Sequence, residues 1–175
     1  MVMYLTLDGG TGIFGKSTTP GDGQPPPGPG YAPHAHSAVV ARCAVLALGS
    51  DCSQPYVFAH EIGHQFGGNH DTYPGHNANT TPLEPWAFAN YAQMSPSEGV
   101  GGARTLLSYY APDCAPTISQ CQTVLYYSNA AVYDDWFRTG RPDTHENARV
   151  ISDFQATAAQ YRLSVSRIFY DGFQY

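Results

Sequence analysis

The hydrophobic pattern predicts strands in the first part of the chain. Residues 1–7 are apolar without a helical period, which predicts a buried strand. Residues 11–17 form a short segment with several glycines that suits an edge strand, and residues 37–48 have the continuous, β-branched apolar character of a central strand. Residues 18–33 are rich in Pro and Gly, so we expect an extended surface loop there.

Two later segments change to a helical period. In residues 54–66 the apolar positions recur three to four apart, and Gly67 and Gly68 follow as a stop signal. A second helix is predicted from Asp143, with Thr144 as its cap and Glu146 in its first turn. The intervening residues 69–103 are long for a structureless stretch, and such loops are usually functional. The fold class we predict is α/β.

Composition excludes several classes of protein. The 175 residues fit one domain, and only 13% are charged. The formal net charge is −6 and the 8 Lys and Arg residues are scattered singly, which argues against nucleic acid and against an anionic membrane surface as partners. No apolar run approaches the ~20 residues of a membrane span.

One motif carries metal chemistry. His60 and His64 are four residues apart, so on a helix their imidazoles converge on one cation. Gly67 accepts the positive φ needed where the helix stops and the chain reverses, which lets His70 return as a third ligand. Three protein ligands with an open fourth position are the pattern of catalytic Zn²⁺. Glu61, beside the first ligand, is placed to act as general base.

The expected reaction follows from this ligand set. Zinc lowers the pKa of a bound water toward ~7 and polarises a carbonyl oxygen. Glu61 takes the proton of that water and hands it to the leaving amine. We therefore expect peptide-bond hydrolysis without a covalent intermediate. The alternative is a catalytically silent, zinc-bearing binding or structural module; the intact Glu61 argues against it, because a structural site needs no base.

The segment HEIGHQFGGNH, residues 60–70, resembles the metzincin clan of zinc endopeptidases, in particular the bacterial secreted form of its reprolysin-like (adamalysin-type) branch. Later segments resemble this branch in the same order, and the likeness covers residues 1–162. These segments are Asp71, residues 104–109, the Cys114/Cys121 loop, residues 127–129 and residues 146–149. The resemblance implies a small mixed, twisted sheet with the active-site helix in an upper subdomain, and an irregular lower subdomain that ends in a helix.

The resemblance also implies a turn beneath the metal in which the family has Met. Leu107 occupies that position in the alignment we favour, and Leu has a similar volume. Met94 is the rival candidate. Tyr109 then lies where some metzincins place a tyrosine that contacts zinc or the tetrahedral intermediate, although a core or rim aromatic is an equal alternative. Asp71 is expected to hold a ligand or brace the turn.

Protein or peptide substrates are the expected partners. An extended peptide can add to the edge strand formed by Thr11, Gly12, Ile13, Phe14 and Gly15, with its carbonyl presented to zinc. Because this mode uses the main chain, it predicts an endopeptidase of broad sequence tolerance. We expect a monomer. A calcium ion at Asp134 and Asp135 lacks further ligands in the sequence.

The four cysteines indicate in which cellular compartment the protein works. Four cysteines allow three pairings, and we favour Cys43–Cys52 and Cys114–Cys121, each of which closes a short loop; buried free thiols are the alternative. This pairing predicts an extracellular protein whose leader is not part of the chain. We expect residues 1–163 to form a catalytic domain lacking N-terminal elements, and residues 164–175 to be a tail or the start of a C-terminal extension.

Overall fold

A mixed three-stranded sheet forms the first part of the computed structural model, which describes residues 2–6, 15–40, 56–72, 82–92, 102–108, 122–135 and 137–161. Its strands are β1 (Val2–Thr6), β2 (Gly15–Ser17) and β3 (His36–Val40). The central β3 pairs in parallel with β1 and antiparallel with β2. The strand predictions are confirmed where they fall on described residues; residues 11–14 and 41–48 lie outside them. Within the described residues, β2 forms one edge of this sheet.

Helix α1 (Val57–Gln65) packs against β2 and β3. Its predicted end is confirmed, since Gly67 has a φ of +90°. Two backbone bonds close the last turn: Gly67 N donates to His64 O at 2.9 Å, and Gly68 N donates to Gly63 O at 3.0 Å. The chain therefore reverses directly after the helix, as the motif requires.

Helix α2 (Asn147–Ala158) begins later than predicted, and Thr144 does not cap it. Residues 141–145 form a turn closed by two backbone hydrogen bonds. Arg141 N donates to His145 O at 3.1 Å, and His145 N donates to Arg141 O at 3.0 Å. Thr144 therefore belongs to this turn and lies too far before Asn147, the first helical residue, to cap the helix. Glu146, predicted in the first turn, precedes the helix and does not cap it with its side chain; its Oε2 accepts a bond from Asp143 N at 3.1 Å.

The remaining strands are two-residue segments. They are β4 (Tyr91–Ala92), β5 (Ala103–Arg104), β6 (Gln122–Thr123), β7 (Tyr133–Asp134) and β8 (Phe137–Arg138). The strand β5 lies between β4 and β6, and β7 pairs with β8. One core cluster, formed by Ala103, Val124 and Phe137, lies beside these strands. The described residues therefore have a mixed α/β architecture, with small sheets and two α-helices.

The Pro- and Gly-rich loop contains a buried anchor that its composition does not show. Tyr31 is fully buried beside Ala35, Ala158 and Tyr161, and the rings of Tyr31 and Tyr161 are 5.3 Å apart, edge to face. The Tyr31 hydroxyl donates to Thr18 O at 2.9 Å. These contacts tie the loop to the end of α2. None of the described helices has the length and apolar character needed to cross a bilayer.

Candidate metal centre

The three predicted ligands meet at one point. His60 and His64 lie one turn apart on α1, and His70 reaches them after the reversal at Gly67. His60 Nε2 is 3.1 Å from His64 Nε2 and 3.2 Å from His70 Nε2, and the His64 and His70 Nε2 atoms are 2.9 Å apart. His60 and His64 are buried and His70 is partly exposed.

Backbone carbonyls fix the protonation of two of these rings. His60 Nδ1 is 2.7 Å from Leu106 O, and His64 Nδ1 is 2.7 Å from Gly68 O. Since a carbonyl only accepts, each Nδ1 carries the hydrogen and each Nε2 presents a lone pair to the centre. Burial lowers the pKa of His60 to about 3 and that of His64 to about 4. Both rings are therefore neutral near pH 7, the form that binds metal.

The arrangement fits a zinc ion. Lone pairs on the Nε2 atoms of His60 and His64 cannot hydrogen-bond to each other, and a cation between them accounts for their close approach. Nitrogens bound to one tetrahedral zinc at 2.0–2.1 Å are about 3.3–3.4 Å apart, close to the separations observed. Within the described part of the chain, these histidines are the one group of three ligand-type residues close enough to share an ion. Asp134 and Asp135, the calcium candidates, are not in such a group.

Glu61 lies beside this centre and packs against the edge strand. Its side chain is buried, and the loss of hydration raises its pKa to about 7. A Cβ on Gly15 would lie 2.5 Å from Glu61 Oε1 and 2.6 Å from Val57 Cγ1, so only glycine leaves room there for the carboxylate. A cleft of about 170 Å³ runs between β2 and α1, and Glu61, His64 and His70 line it.

Leu107 lies beneath the helix that carries the first two histidines. It is fully buried. A Cβ on Gly68 would lie 2.5 Å from Leu107 Cδ1, and a Cβ on Gly63 would lie 3.0 Å from the same atom and 2.6 Å from Tyr127 Cε1. Gly63, on α1, and Gly68, just after it, therefore allow this close approach. Met94 and Tyr109 lie outside the described residues.

Asp71 joins the third-ligand segment to the Leu107 segment. Its side chain is fully buried, and Asp71 Oδ2 accepts a hydrogen bond from Ser108 Oγ at 2.8 Å. Arg104, in β5, is also buried; desolvation lowers its pKa, and the charge of Asp71 opposes this shift. The contact places Asp71 where it can brace the turn. Its role remains a prediction.

A polar cluster that the sequence did not reveal holds the segment around Asn69. Asn147 is fully buried, and its Nδ2 donates to Ala87 O at 2.6 Å and to Asn69 O at 3.2 Å. Ser128 Oγ accepts from Asn147 N at 2.7 Å and donates to Phe88 O at 2.8 Å. The residue before His70 is thus tied to α2. Resemblance had marked residues 127–129 and 146–149 as motifs, but it gave no role for these two side chains.

Several predicted site residues lie outside the described part of the chain. Thr11, Gly12, Ile13 and Phe14 of the proposed substrate strand lie outside the described residues, and Gly15 opens the described strand β2. All four cysteines also lie outside, so the pairings Cys43–Cys52 and Cys114–Cys121 stay predictions.

The three convergent histidines fit the metal site of a metallopeptidase, and a family model of such proteins matches the part of the chain that carries them. Residues 7–71 match the family described as Metallo-peptidase family M12B Reprolysin-like. This match confirms the resemblance to reprolysin-like, metzincin-type metallopeptidases.

Curated relatives carry a metalloendopeptidase name. Peptidyl-Asp metalloendopeptidase of Stenotrophomonas maltophilia (strain K279a) is 30% identical over 123 residues, which cover 70% of this chain and 27% of the relative. The protein of the same name from Xanthomonas campestris pv. campestris is 29% identical over 123 residues, 70% of this chain and 26% of the relative. The chain thus spans about a quarter of the length of the curated relatives it matches. No solved structure matches it.

Proposed function

We propose that this chain is the zinc-dependent catalytic part of an endopeptidase. One observation carries the proposal: three imidazole Nε2 atoms face one another at 2.9–3.2 Å beside a buried carboxylate, in a cleft bordered by a sheet edge. His60, His64 and His70 would hold the zinc ion, and Glu61 would be the general base. The family match and the relatives' names support a metalloendopeptidase.

Each residue of the site has a distinct task. Zinc, when bound, supplies Lewis acidity toward a carbonyl oxygen and lowers the pKa of water. Glu61 takes a proton onto its carboxylate from the attacking water and delivers it to the leaving nitrogen. Leu106 O and Gly68 O keep the Nδ1 hydrogens of His60 and His64 in place, so the Nε2 lone pairs stay directed inward. Burial of Glu61 keeps competing water away from the carboxylate.

The substrate would bind as an added strand. β2 borders the cleft and its outer edge carries no partner among the described residues, so an extended peptide can pair there through its main chain. Main-chain pairing gives affinity without selecting a sequence, which is the basis of the broad tolerance expected above. The relatives' name adds a preference: we propose that the hydrolysed bond adjoins an aspartate.

The supporting residues complete the proposal. Leu107 would form the apolar floor beneath the metal, Asp71 would brace that floor through Ser108, and Tyr109 would contact the reacting group. The division into an upper subdomain with α1 and a lower one ending in α2 is proposed by resemblance to metzincins. Secretion, the two disulfides and a monomeric state are likewise proposals.

A chelator experiment tests this function. Casein or gelatin cleavage by the purified chain should stop with a chelator and return with zinc. Zinc content measured in parallel should be one ion per chain in the wild type and below a tenth of that in His64→Ala. A folded wild type that holds one zinc ion and cleaves no peptide in a library would instead support the silent binding module.

A further inference from the structure

Lys16 is the only lysine among the 175 residues, and it lies at the cleft. It is the middle residue of β2, paired with Ala38 on the inner side of the strand. Among the described residues that line the cleft, Lys16 is the one Lys or Arg, and no described carboxylate lies within 4.0 Å of its ammonium. A cationic side chain on the substrate strand therefore remains available to a ligand.

The pleat of β2 determines which ligand atoms Lys16 can reach. The Cβ direction of Gly15 points at Glu61 and Val57, and Ser17 Oγ lies 2.6 Å from Ser37 Oγ. Because side chains alternate along a strand, Lys16 projects from the other face, and it is exposed. A peptide paired with the open edge of β2 presents every second side chain on that same face. One of those side chains lies directly opposite Lys16.

We propose that Lys16 is a specificity-determining residue that binds the carboxylate of an acidic substrate side chain; this rests on the proposed peptidase function. Opposite charges facing each other across neighbouring strands attract, whereas like charges repel. Two acidic residues, Asp22 and Glu61, line the same cleft; Asp22 lies on the turn after Thr19 and Glu61 lies on α1, so neither is on the substrate strand. Lys16 thus favours acidic peptides and Asp22 disfavours them.

Paired peptides test the assignment. Two fluorogenic peptides that differ only in one residue, Asp or Asn, are hydrolysed by the zinc-loaded chain, and the ratio of their kcat/KM values is measured. We expect the Asp peptide to be preferred by up to about fivefold, the upper limit for a cross-strand charge pair. The ratio should fall to about one in Lys16→Met, persist in Lys16→Arg, and rise in Asp22→Asn. Lys16→Glu should instead favour a third peptide with Lys at that position.

Acetylation of the folded protein gives a second test of the role of Lys16. Acetylation of the wild type modifies Lys16 and the N-terminal amine, whereas in Lys16→Arg it modifies the N-terminal amine alone. The preference should disappear on acetylation of the wild type and survive in acetylated Lys16→Arg. Peptide mapping by mass spectrometry confirms the modified site.

Measurements of peptide binding distinguish the role of Lys16 from the proposed peptidase activity. Affinities of the same peptides for zinc-loaded Glu61→Gln, which should not turn them over, give the selectivity independently of hydrolysis. Active wild type with an Asp to Asn ratio near one in both assays, or a ratio unchanged in Lys16→Met, overturns the role of Lys16 and leaves the peptidase proposal standing. Inactive wild type with Lys16-dependent Asp selectivity in binding supports the role of Lys16 and contradicts the peptidase.

Discussion

Ser108 Oγ donates a hydrogen bond of 2.8 Å to Asp71 Oδ2, and both residues are buried. The bond links the residue after the third histidine to the residue after Leu107. Removing the hydroxyl in Ser108→Ala leaves a buried carboxylate short of one donor. We expect the free energy of unfolding to fall by about 1–3 kcal/mol and zinc affinity to fall by about tenfold.

Urea unfolding and competitive zinc titration measure these two effects. The matched control is Ser152→Ala at an exposed position of α2, which should change stability by less than about 0.5 kcal/mol. Equal behaviour of the two variants in both measurements would show that the Asp71–Ser108 bond supports neither the fold nor the metal site.

Leu107 provides a test of the turn beneath the histidines. Leu107→Ala should lower the free energy of unfolding by about 2–5 kcal/mol, since it removes a fully buried side chain packed on Gly63 and Gly68. Leu107→Met, which introduces the residue that resemblance to the metzincins leads us to expect at this turn, should cost less than about 1.5 kcal/mol and retain activity. Leu125→Ala is the control, because Leu125 is 57% exposed. An inactive but folded Leu107→Met would argue against Leu107 as the floor of the site.

Gly15 is expected to support catalysis because it leaves space for the Glu61 carboxylate. A Cβ at this position would lie 2.5 Å from Glu61 Oε1, so Gly15→Ala should displace the carboxylate or the strand. A displacement of this size lowers kcat by roughly 10- to 100-fold, while zinc content stays at the wild-type level. Gly30→Ala is the matched control, with its nearest contact at 3.8 Å. Full activity in Gly15→Ala would mean that the carboxylate has more freedom than the packing indicates.

The buried His145 leads us to expect a lower free energy of unfolding in mild acid. It is buried beside Thr72 and Thr144, with Arg141 and Asp71 as the charges acting on it, and its pKa is lowered to about 4, chiefly by desolvation. As pH falls below about 6.5, the unfolded chain binds a proton at this residue and the folded chain does not. The free energy of unfolding should therefore decrease between pH 6.5 and 4, by about 1–2 kcal/mol after solvent screening.

The comparison of His145→Gln with the wild type isolates this contribution. Both proteins are unfolded with urea in the presence of a chelator, so that the metal-ligand histidines contribute equally to each. The variant should show the shallower decline across this pH range, whereas His36→Gln, at an exposed position, should follow the wild type. Parallel curves for wild type and His145→Gln would contradict the prediction.

Local spacing was sufficient to predict the convergence of the three histidines, because a helix turn and a glycine reversal depend on neighbouring residues alone. His60 and His64 converge through helix geometry, and Gly67 has the positive φ that was expected. Asn147 and Ser128 were not recognised as supports, since their partners lie 19 to 78 residues away in sequence. The burial of Tyr31 was missed for the same reason, and the cap predicted at Thr144 was wrong because residues 141–145 form a turn of their own.

The most direct measurement is a comparison of wild type with Glu61→Gln at equal zinc content. We predict that both bind one zinc ion through His60, His64 and His70, that the wild type hydrolyses a peptide library, and that kcat of Glu61→Gln is lower by at least about 10²-fold. A Glu61→Gln variant that holds zinc and cleaves peptides at the wild-type rate would contradict the role of Glu61. A zinc-loaded, folded wild type without any cleavage would contradict the peptidase itself.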